Sequence, residues 1–527
     1  MKTASILRAA LVSVLPACAV ALVLVGCAGG KKEPAAEAAK EGRYGGTLTR
    51  AYFAPGTLDP AFAGDITAGE ICGLWGDYLA YVDEDLSIDR SRSLSERWEV
   101  SEDGLTWTFS LRKGVMFHNG EEMTSEDVKF TFDRLSDPDL GAATASLYSN
   151  IDSISAPNEH SVVFTLKQTN PDFLSKLGEY QAIITWSGTE DFNTEHIGTG
   201  KFMIDTYLPE DRITFKRNPD YWRTDADGNQ LPYLDGIDYL FLPEPSSQVE
   251  ALRGGQVDYL IYLPSEYVQS VEDDPDLVVY QKPSNFHYAI RMRCDRKPFD
   301  DVRVRQAFRA AVDRQAILDG SFEGLGVTGR DTPIGPAYSD FYLEVPEIGR
   351  DVEKAKSLLE EAGYADGLTV TLTTQQSSAM PAMATVLKEQ LADAGVTVDI
   401  HLVTPDVYYG ADNLWLEADF AMTDWGSRAT PQSYLDLAYT CDAKWNESHF
   451  CDPELDELSA RAAVELDQEK RAELYAEIQR IFMDRGPLIV PYFTNNLFGA
   501  SKKLKGIKPT SFFPTHVDLA VVYFEDE

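Results

Sequence analysis

Side chains that could carry out catalysis are present in this sequence, but none of them stands in a recognised catalytic motif. The seven histidines are spread along the chain as His118, His160, His196, His287, His401, His449 and His516. None forms HExxH or another local pair of metal ligands, and no GxSxG sequence offers a nucleophilic serine. Carboxylates are abundant, but abundance does not single out an acid and a base that act together. The sequence therefore predicts no enzyme, no metal site built by the protein and no cofactor.

A glycine-rich stretch matches a nucleotide-binding pattern by spacing alone. Residues 324–329 read GLGVTG and so fit GxGxxG. A dinucleotide-binding fold needs a strand before this pattern and a helix directly after it. Here a predicted helix precedes the glycines, and Pro333 and Pro336 follow them. We therefore reject a dinucleotide site.

Arg428 is a candidate for binding a charged ligand. It lies in the stretch TDWGSRATPQSYLDL, residues 423–437. Its guanidinium is a planar fork of donors that suits a carboxylate or a phosphate. Two interpretations stay open: Arg428 binds the anionic end of a ligand, or it pairs with a neighbouring aspartate and only holds its loop. Trp425, in the same stretch, could stack on a ligand or fill the interior of the protein.

Cysteine usage fits an exported protein. Cys441 and Cys451 bracket a short loop that contains Asp, Asn and Ser, which predicts a local disulfide. Nothing local links Cys72 with Cys294, so whether they pair stays open. No CxxC pair supports thiol-redox or zinc-finger chemistry.

The first residues have the pattern of a signal peptide. Lys2 and Arg8 form a short basic start, and residues 9–25 are almost entirely apolar. That run is shorter than the ~20 residues a membrane-spanning helix needs. It ends in Leu24-Val25-Gly26-Cys27, which resembles a bacterial lipobox. We expect a signal peptide over residues 1–26, with an uncleaved membrane anchor as the alternative.

The same resemblance implies that Cys27 is lipidated and becomes the mature N-terminus. Residues 27–43, rich in Gly, Ala, Lys and Glu, are then predicted to be a lipid-anchored flexible tether. The protein would lie outside the cytoplasm, attached to the cell membrane only through this lipid.

Composition excludes one class of partner. The chain has 527 residues and a net charge of −38 at pH 7. A length of this size predicts two to four domains at ~100–200 residues each. Because phosphates repel an acidic surface, nucleic acid is not an expected partner.

The first half of the chain is rich in strand signals. Apolar and polar residues alternate with period two, as in half-buried strands, over residues 106–111, 162–166, 202–204 and 213–215. Between the first two runs, Thr124 is a good N-cap for a helix whose face carries Val128, Phe132 and Leu135.

The second half changes to helical spacing with intervening strands. Helices are predicted after Asp301 and Asp351, from Pro381 and Pro453, and over 467–483, and strands over 368–372, 396–402 and 487–493. The order strand, helix, strand indicates a crossover unit and a largely parallel sheet. We predict an α/β fold of two lobes.

The predicted domain boundaries follow from this change from strand spacing to helical spacing. A first lobe spans 44–290, with a strand-rich subdomain at about 90–190, a second lobe spans 291–484, and residues 485–527 return to the first lobe. Two chain crossings between lobes make a hinge, and a hinge beneath a cleft allows closure on a ligand.

Five segments, in order along the chain, resemble one family. The longest is LSERWEVSEDGLTWTFSLRKGVMFHNGEEMTSEDVKFTFDRL, and all five lie at residues 94–134, 198–222, 297–318, 351–364 and 445–458. They are similar to the family 5 extracellular solute-binding proteins, the oligopeptide, dipeptide and nickel type. This resemblance implies a type II periplasmic-binding-protein clamshell with an extra subdomain in its first lobe.

The resemblance also implies the ligand site. In peptide-binding relatives a loop of the second lobe carries a Trp and a carboxylate that pairs with the peptide ammonium, positions that fall here on Trp425 and Ser427. Ser427 cannot supply that charge, and Arg428 follows it, so a solute with an anionic end is expected. Candidate contacts from elsewhere are Tyr52 and Phe53, in the loop that resembles the family's first cleft loop, and Tyr288.

The expected function is capture of a peptide or peptide-like anion and its delivery to the permease subunits of an ABC importer, by a protein we expect to be a monomer. Ligand that contacts both lobes would favour the closed form. Two alternatives stay open within the binding class: another anionic or chelated solute, such as a metal chelate, haem or an opine-like compound, or a sensor that signals to a receptor. A secreted hydrolase is a third class, without a visible nucleophile and base.

Overall fold

The computed structural model describes residues 43–142, 144–377, 379–410, 413–512 and 516–525. The predicted signal peptide, the lipidation site Cys27 and all but the last residue of the predicted tether lie outside these described residues. Within the described ranges, no helix combines the length and the apolar character that crossing a membrane requires.

The strands and helices are numbered in chain order. The strands are β1 (Thr47–Tyr52), β2 (Tyr81–Val82), β3 (Ile88–Asp89), β4 (Ser95–Val100), β5 (Thr106–Leu111), β6 (Ile151–Asn158), β7 (Ser161–Leu166), β8 (Phe202–Leu208), β9 (Arg212–Arg217), β10 (Gly236–Phe241), β11 (Tyr259–Leu260), β12 (Leu277–Met292), β13 (Gly326–Thr328), β14 (Leu368–Gln375), β15 (Val396–Val403), β16 (Phe420–Trp425), β17 (Leu488–Ile489), β18 (Tyr492–Ser501), β19 (Leu504–Lys505) and β20 (Tyr523–Phe524). The helices are α1 (Ile66–Trp75), α2 (Ser125–Ser136), α3 (Phe173–Lys176), α4 (Pro245–Arg253), α5 (Val268–Glu272), α6 (Val302–Ala310), α7 (Arg314–Phe322), α8 (Val352–Glu361), α9 (Met380–Ala392), α10 (Pro405–Tyr408), α11 (Leu414–Glu417), α12 (Pro431–Tyr434), α13 (Pro453–Ala462) and α14 (Gln468–Arg485).

A large mixed sheet runs through the molecule, and the strands β12 and β18 join its two halves. The spatial order is β15-β14-β16-β12-β18-β11-β1-β10-β9-β8. The first part of β12, residues 277–283, pairs with β18, whereas residues 287–292 pair with β16. Strand β18 pairs with β11 near its end and with β13 at its start. We call the side of the sheet with β11, β1, β10, β9 and β8 lobe I, and the side with β16, β14 and β15 lobe II.

Lobe II is built from the predicted crossover unit. Strands β14 and β15 are parallel, with α9 between them along the chain, and the helix packs on both strands. Local signals set the helix starts: Asp301, Asp351 and Asp467 each accept a hydrogen bond from a backbone N–H in the first turn of α6, α8 and α14. The helices predicted after these caps, and the parallel strand pair, are confirmed.

Lobe I carries a separate antiparallel sheet in the order β4-β5-β7-β6. Helix α2 covers it, and its first turn holds a capping box between Thr124 and Asp127. Alternating residues of β5 and β7, such as Phe109 and Phe164, are fully buried in the core between this sheet and the helix. The four-stranded sheet is treated below as part of lobe I.

Parallel strands bring their carboxyl ends to the space between the lobes. In lobe I, β1 is parallel to β10 and β11, and it ends at Tyr52. In lobe II, β14 is parallel to β15 and β16. Strand β14 ends at Gln375, and β16 ends at Trp425. Ligands of open α/β sheets bind in the crevice outside the carboxyl ends of the strands. The fold therefore places a crevice of this kind where β12 and β18 pass from one lobe to the other, and we call these two strands the crossing strands.

Cysteine pairing is decided by distance. Cys441 and Cys451 form a disulfide across the short loop, with their Cα atoms 4.4 Å apart. Cys72 and Cys294 are both free thiols. They lie in different hydrophobic clusters of the molecule, which explains why they do not pair.

Candidate ligand-binding site

A cavity of about 330 Å³ lies between the lobes, at the crossing strands. Residues from lobe I, from lobe II and from β12 and β18 line it: Tyr52, Ile66, Ile261, Tyr262, Phe286, Tyr288, Phe322, Asp424, Gly426, Ser427, Thr494, Asn495, Asn496, Leu497 and Phe512. This volume is at the lower end of the ~300–1,000 Å³ typical of small-molecule sites.

Aromatic side chains form much of the wall from lobe I and β12. Phe286 and Tyr288 are two residues apart in β12, so they point to the same face, and their rings pack edge to face at 5.5 Å. Tyr52, at the end of β1, and Tyr262, just after β11, complete this side. Burial raises the pKa of Tyr262 to about 12 and that of Tyr52 further, so both hydroxyls remain neutral donors.

Phe53 lies outside the cavity although it neighbours Tyr52. Its ring packs against that of Tyr52 at 4.6 Å, but the side chain is 38 % exposed and does not line the cavity. Successive residues of an extended chain point in opposite directions, which separates this pair.

Ser427 fixes the lobe II loop that follows β16. Its hydroxyl donates to the carbonyl oxygen of Ser511 at 3.0 Å and accepts from the backbone N–H of Asn285 at 3.4 Å. The loop is thereby tied to the crossing strand β12 and to the C-terminal segment. Ser427 presents a neutral side chain to the cavity at the position where the resemblance implies a carboxylate.

Trp425 is hydrogen-bonded to one member of a buried ion pair. Its indole Nε1 donates to Glu447 at 2.9 Å, and Glu447 pairs with Arg291 at 3.1 Å. Both charged side chains are almost fully buried, and burial raises the pKa of Glu447. Trp425 is itself 5 % exposed, and it contributes to a second space next to the cavity rather than to the cavity itself.

That second space, which we call the aromatic recess, has a volume of about 290 Å³. It is lined by Tyr409, Trp415, Thr423, Asp424, Trp425, Gly426, Arg428 and Trp445. The recess and the cavity share Asp424 and Gly426, so the two spaces adjoin at the end of β16.

Arg428 has no acidic partner among the described residues. Its Nε is buried without a hydrogen bond, and the Tyr338 hydroxyl donates at 2.7 Å to its main-chain carbonyl rather than to its side chain. Its charge acts instead on Glu179 of lobe I. Burial raises the pKa of Glu179 to about 7, and the positive charges of Arg428 and Lys176 oppose that rise. The interpretation in which a neighbouring aspartate pairs with Arg428 is therefore wrong for the described residues.

Asp424 is a site residue that sequence reasoning did not select. Its Oδ1 accepts hydrogen bonds from Gln375 at 2.9 Å and from the Tyr409 hydroxyl at 3.3 Å. Burial raises the pKa of this carboxyl, and the two neutral donors offset only part of that effect. The partners come from β14 and from the segment after α10, so no local signal in the sequence could have identified this group.

A third space, the polar cavity, lies between the four-stranded-sheet part of lobe I and lobe II. Its volume is about 290 Å³, and it is lined by Ser146, Leu147, Ser149, Asn150, Gln168, Thr169, Asn170, Asp172, Lys176, Thr430, Gln432, Ser433, Asp436 and Ala463. Asp172 pairs with Arg471 of α14 at 2.6 Å, and each side chain is 6 % exposed. Within the described ranges, no group of three or more His, Cys, Asp or Glu residues is arranged to hold a metal ion.

The sequence pattern of the bacterial extracellular solute-binding proteins, family 5 Middle, matches residues 91–446. Di/tripeptide-binding protein 1 of Pseudomonas aeruginosa is 31% identical over 438 residues, which are 75% of this chain and 79% of that protein. Glutathione-binding protein GsiB of Salmonella typhimurium is 28% identical over 477 residues, 85% of this chain and 89% of that protein.

Solved structures agree with this match. The ABC transporter-associated periplasmic binding protein DppA from Helicobacter pylori, in complex with the peptide STSA, is similar with a TM-score of 0.76 and 25% identity, covering 92% of this chain and 99% of that one. HbpA2 from Haemophilus parasuis has the same fold, with a TM-score of 0.80, 22% identity, and coverage of 91% and 100%.

The two lobes, the crossing strands and the cavity between them define a solute-binding protein with the type II periplasmic-binding fold. The chain belongs to the bacterial extracellular solute-binding proteins, family 5. The predicted fold class and family are confirmed. This family captures solutes outside the cytoplasm, and its members are binding proteins rather than enzymes.

Proposed function

We propose that this protein is a lipid-anchored receptor that captures a peptide or a peptide-like anion in the cavity between its lobes and delivers it to the permease subunits of an ABC importer. The observation that carries the proposal is the cavity itself, whose walls come from both lobes and from the strands that join them. The names of the relatives, di/tripeptide-binding and glutathione-binding, favour a peptide-like solute.

Chemical groups at the cavity and the recess suit such a solute. The aromatic and aliphatic wall offers apolar contact to side chains, while polar atoms can fix a main chain. Oδ1 of Asn495 is buried without a hydrogen-bond partner among the described residues, so it can accept from a ligand N–H. Arg428, with no acidic partner among the described residues, can bind a carboxylate through its planar fork.

Closure follows from the position of the cavity. Strand β18 pairs with β11 of lobe I, strand β12 pairs with β16 of lobe II, and the two strands pair with each other. The pairing of β12 with β18 is irregular between Pro283 and His287, where β12 passes from one lobe to the other. A change of angle at this point alters the space between the lobes. A solute that touches both walls binds the closed form better, and only that difference in affinity shifts the population.

A calorimetric panel tests the ligand class. Tripeptides with a free C-terminal carboxylate are titrated against the same tripeptides with an amidated C-terminus. We expect the amidated forms to bind at least about tenfold more weakly, because a buried charge contact is lost. Arg428→Met should weaken the free forms to the level of the amidated ones. Lys176→Met is the matched control, because Lys176 is a basic residue that lines the polar cavity instead.

Two outcomes would contradict the proposal at different levels. Equal affinity for free and amidated peptides would exclude a carboxylate contact at Arg428. Failure of every peptide to bind, together with a non-peptide solute in mass spectra of protein purified from its own host, would exclude a peptide ligand.

A further inference from the structure

The hairpin of β2 and β3, residues 81–89, reaches from lobe I to lobe II. Its base belongs to lobe I, because Tyr81 is buried in one hydrophobic cluster with residues of β1 and β10. At its turn, Leu86 is half-buried and packs against the hydrophobic cluster of lobe II that contains Trp425 and Tyr434. Leu86 therefore contacts the lobe that faces its own.

The backbone of Leu86 is in a conformation that leucine rarely adopts. Its φ is +66°, in the left-handed region where a side chain meets steric conflict and glycine does not. The turn is closed by hydrogen bonds from the Asp83 N–H to the Ser87 carbonyl oxygen, at 2.8 Å, and from the Leu86 N–H to the Asp83 carbonyl oxygen, at 3.2 Å. Hairpin turns commonly place glycine at a left-handed position of this kind. The turn alone therefore favours glycine over leucine, and the contact with lobe II is what the leucine side chain supplies.

Packing connects Leu86 with one wall of the cavity at the crossing strands. Leu86 lies against a small cluster formed by Val82 of the hairpin, Ala429 of lobe II and Phe512 of the C-terminal segment. Phe512 lines the cavity, whereas Leu86 is not one of its lining residues. Leu86 can therefore affect the wall of the cavity without contact with a solute there.

Hydrogen bonds connect the same hairpin with a second wall of the cavity. The backbone N–H of Ser511 donates to the carbonyl oxygen of Glu84, in the hairpin, at 2.9 Å. The carbonyl oxygen of Ser511 accepts from the Ser427 hydroxyl of lobe II at 3.0 Å, and Ser427 lines the cavity. The hairpin is thus tied to lobe II both by packing and by hydrogen bonds.

We propose that Leu86 is a positioning residue for solute capture: it latches the hairpin of lobe I to Ala429 of lobe II and to Phe512, and so holds two walls of the cavity together. The inference rests on the proposed function, since it concerns how long a solute stays in that cavity. A solute that contacts both lobes is released when they move apart, and contacts between the lobes oppose that movement. The latch therefore slows dissociation of the solute, with a smaller effect on its association.

Stopped-flow tryptophan fluorescence measures the dissociation rate. The probe is the tripeptide with a free C-terminal carboxylate that the wild type binds most tightly in calorimetry. Leu86→Gly removes the side chain but fits the left-handed turn, so the hairpin itself keeps its shape. We expect the tripeptide to dissociate about tenfold faster from Leu86→Gly than from the wild type, the effect of losing part of a buried leucine contact. Leu86→Met keeps an apolar side chain of similar volume and should stay within about threefold of the wild type.

Glu210→Gly is the matched control. Glu210 also has a positive φ, +67°, in the turn between β8 and β9 of lobe I, but its side chain is exposed. Its replacement relieves the same kind of backbone conflict at the edge of the large sheet, so the dissociation rate should change by less than about twofold. Thermal unfolding of each variant confirms that it is folded.

Amide hydrogen exchange of the unliganded protein is an independent measurement of the latch. The backbone N–H of Ser511 is bonded to the hairpin at Glu84, so its exchange reports whether this contact opens. We expect this N–H to exchange severalfold faster in Leu86→Gly than in the wild type or in Glu210→Gly.

Each outcome decides the inference. An unchanged dissociation rate in Leu86→Gly, even with a lower midpoint of thermal unfolding, overturns the latch and leaves the proposed function in place. An equal rise in Leu86→Met or in Glu210→Gly overturns it too, because the contact of the leucine side chain would not be the cause. If no tripeptide binds, the proposed peptide ligand is wrong and hydrogen exchange decides the latch: equal exchange of the Ser511 N–H in the wild type and Leu86→Gly overturns it.

Discussion

Two spaces between the lobes have similar sizes but opposite chemistry. The cavity at the crossing strands, about 330 Å³, is lined largely by aromatic and aliphatic residues. The polar cavity, about 290 Å³, is lined mainly by hydroxyl, amide and charged groups. At the first, Asn495 Oδ1 has no hydrogen-bond partner and the Asp424 carboxylate has no ion-pair partner among the described residues, whereas the second has the Asp172–Arg471 ion pair beside it. Volume alone therefore does not identify the ligand site; unsatisfied groups and apolar walls do.

The buried Asp172–Arg471 ion pair joins the two lobes beside the polar cavity. Arg471 belongs to α14 of lobe II and Asp172 precedes α3 of lobe I, so their contact links the lobes directly. A second contact, from the Thr169 hydroxyl to the carbonyl oxygen of Val464, lies in the same region. We call this interface the brace, because its contacts join the two lobes directly.

Breaking the brace should have the largest effect on stability. Asp172→Asn removes the carboxylate that forms an ion pair with the buried Arg471 guanidinium, and a guanidinium cannot avoid the resulting cost by losing its proton. We expect a loss of about 3 kcal/mol in the free energy of unfolding, measured in urea. The reciprocal variant Arg471→Met should lose less, because the remaining Asp172 can take up a proton. Equal free energies of unfolding for the wild type and Asp172→Asn would show that this ion pair does not stabilise the protein.

Filling each space in turn tests the comparison itself. Ile66 begins α1, is half-buried and lines the cavity at the crossing strands, so Ile66→Trp should place an indole in the solute's position. We expect peptide affinity to fall about 30-fold or more, equivalent to about 2 kcal/mol, with little change in thermal stability. Ser146→Trp fills the polar cavity from an exposed position and should leave the affinity within about twofold of the wild type. A larger loss of peptide affinity in Ser146→Trp than in Ile66→Trp would place the ligand site in the polar cavity instead.

A smaller effect is expected from Glu179, whose pKa lies at about 7 instead of the usual 4.5 because of burial. Between these values the folded protein holds a proton that the unfolded chain has lost, so stability falls as the pH rises through this range. Glu179→Gln cannot ionise and should not show this loss. Between pH 5 and pH 8, we expect the wild type to lose about 1–2 kcal/mol more than the variant in urea unfolding. Parallel pH profiles would show that Glu179 titrates normally.

Much of the architecture could be predicted because its signals are local. An aspartate followed by a helical apolar pattern located the starts of α6, α8 and α14, and period-two alternation located β5 and β7. The order strand, helix, strand was enough to predict the parallel pair β14 and β15. These features depend on residues within one or two turns of each other.

The site could be predicted only in part, because its walls come from distant segments. Tyr52 and Tyr288 were selected and do line the cavity, but Tyr262 and Phe512 were not, since only the folded chain brings them together. Trp425 lines the adjoining recess instead. The environment of Asp424 depends on Gln375 and Tyr409 from other elements, which no spacing rule connects.

A crystal structure of the protein grown with the tightest-binding peptide of the panel tests the central claim most directly. The account predicts peptide density between the walls of the cavity at the crossing strands, in contact with Tyr52 of lobe I, Ser427 of lobe II and Tyr288 of β12. Density in the polar cavity with the first cavity empty, or peptide bound on the outer surface of either lobe, would contradict it.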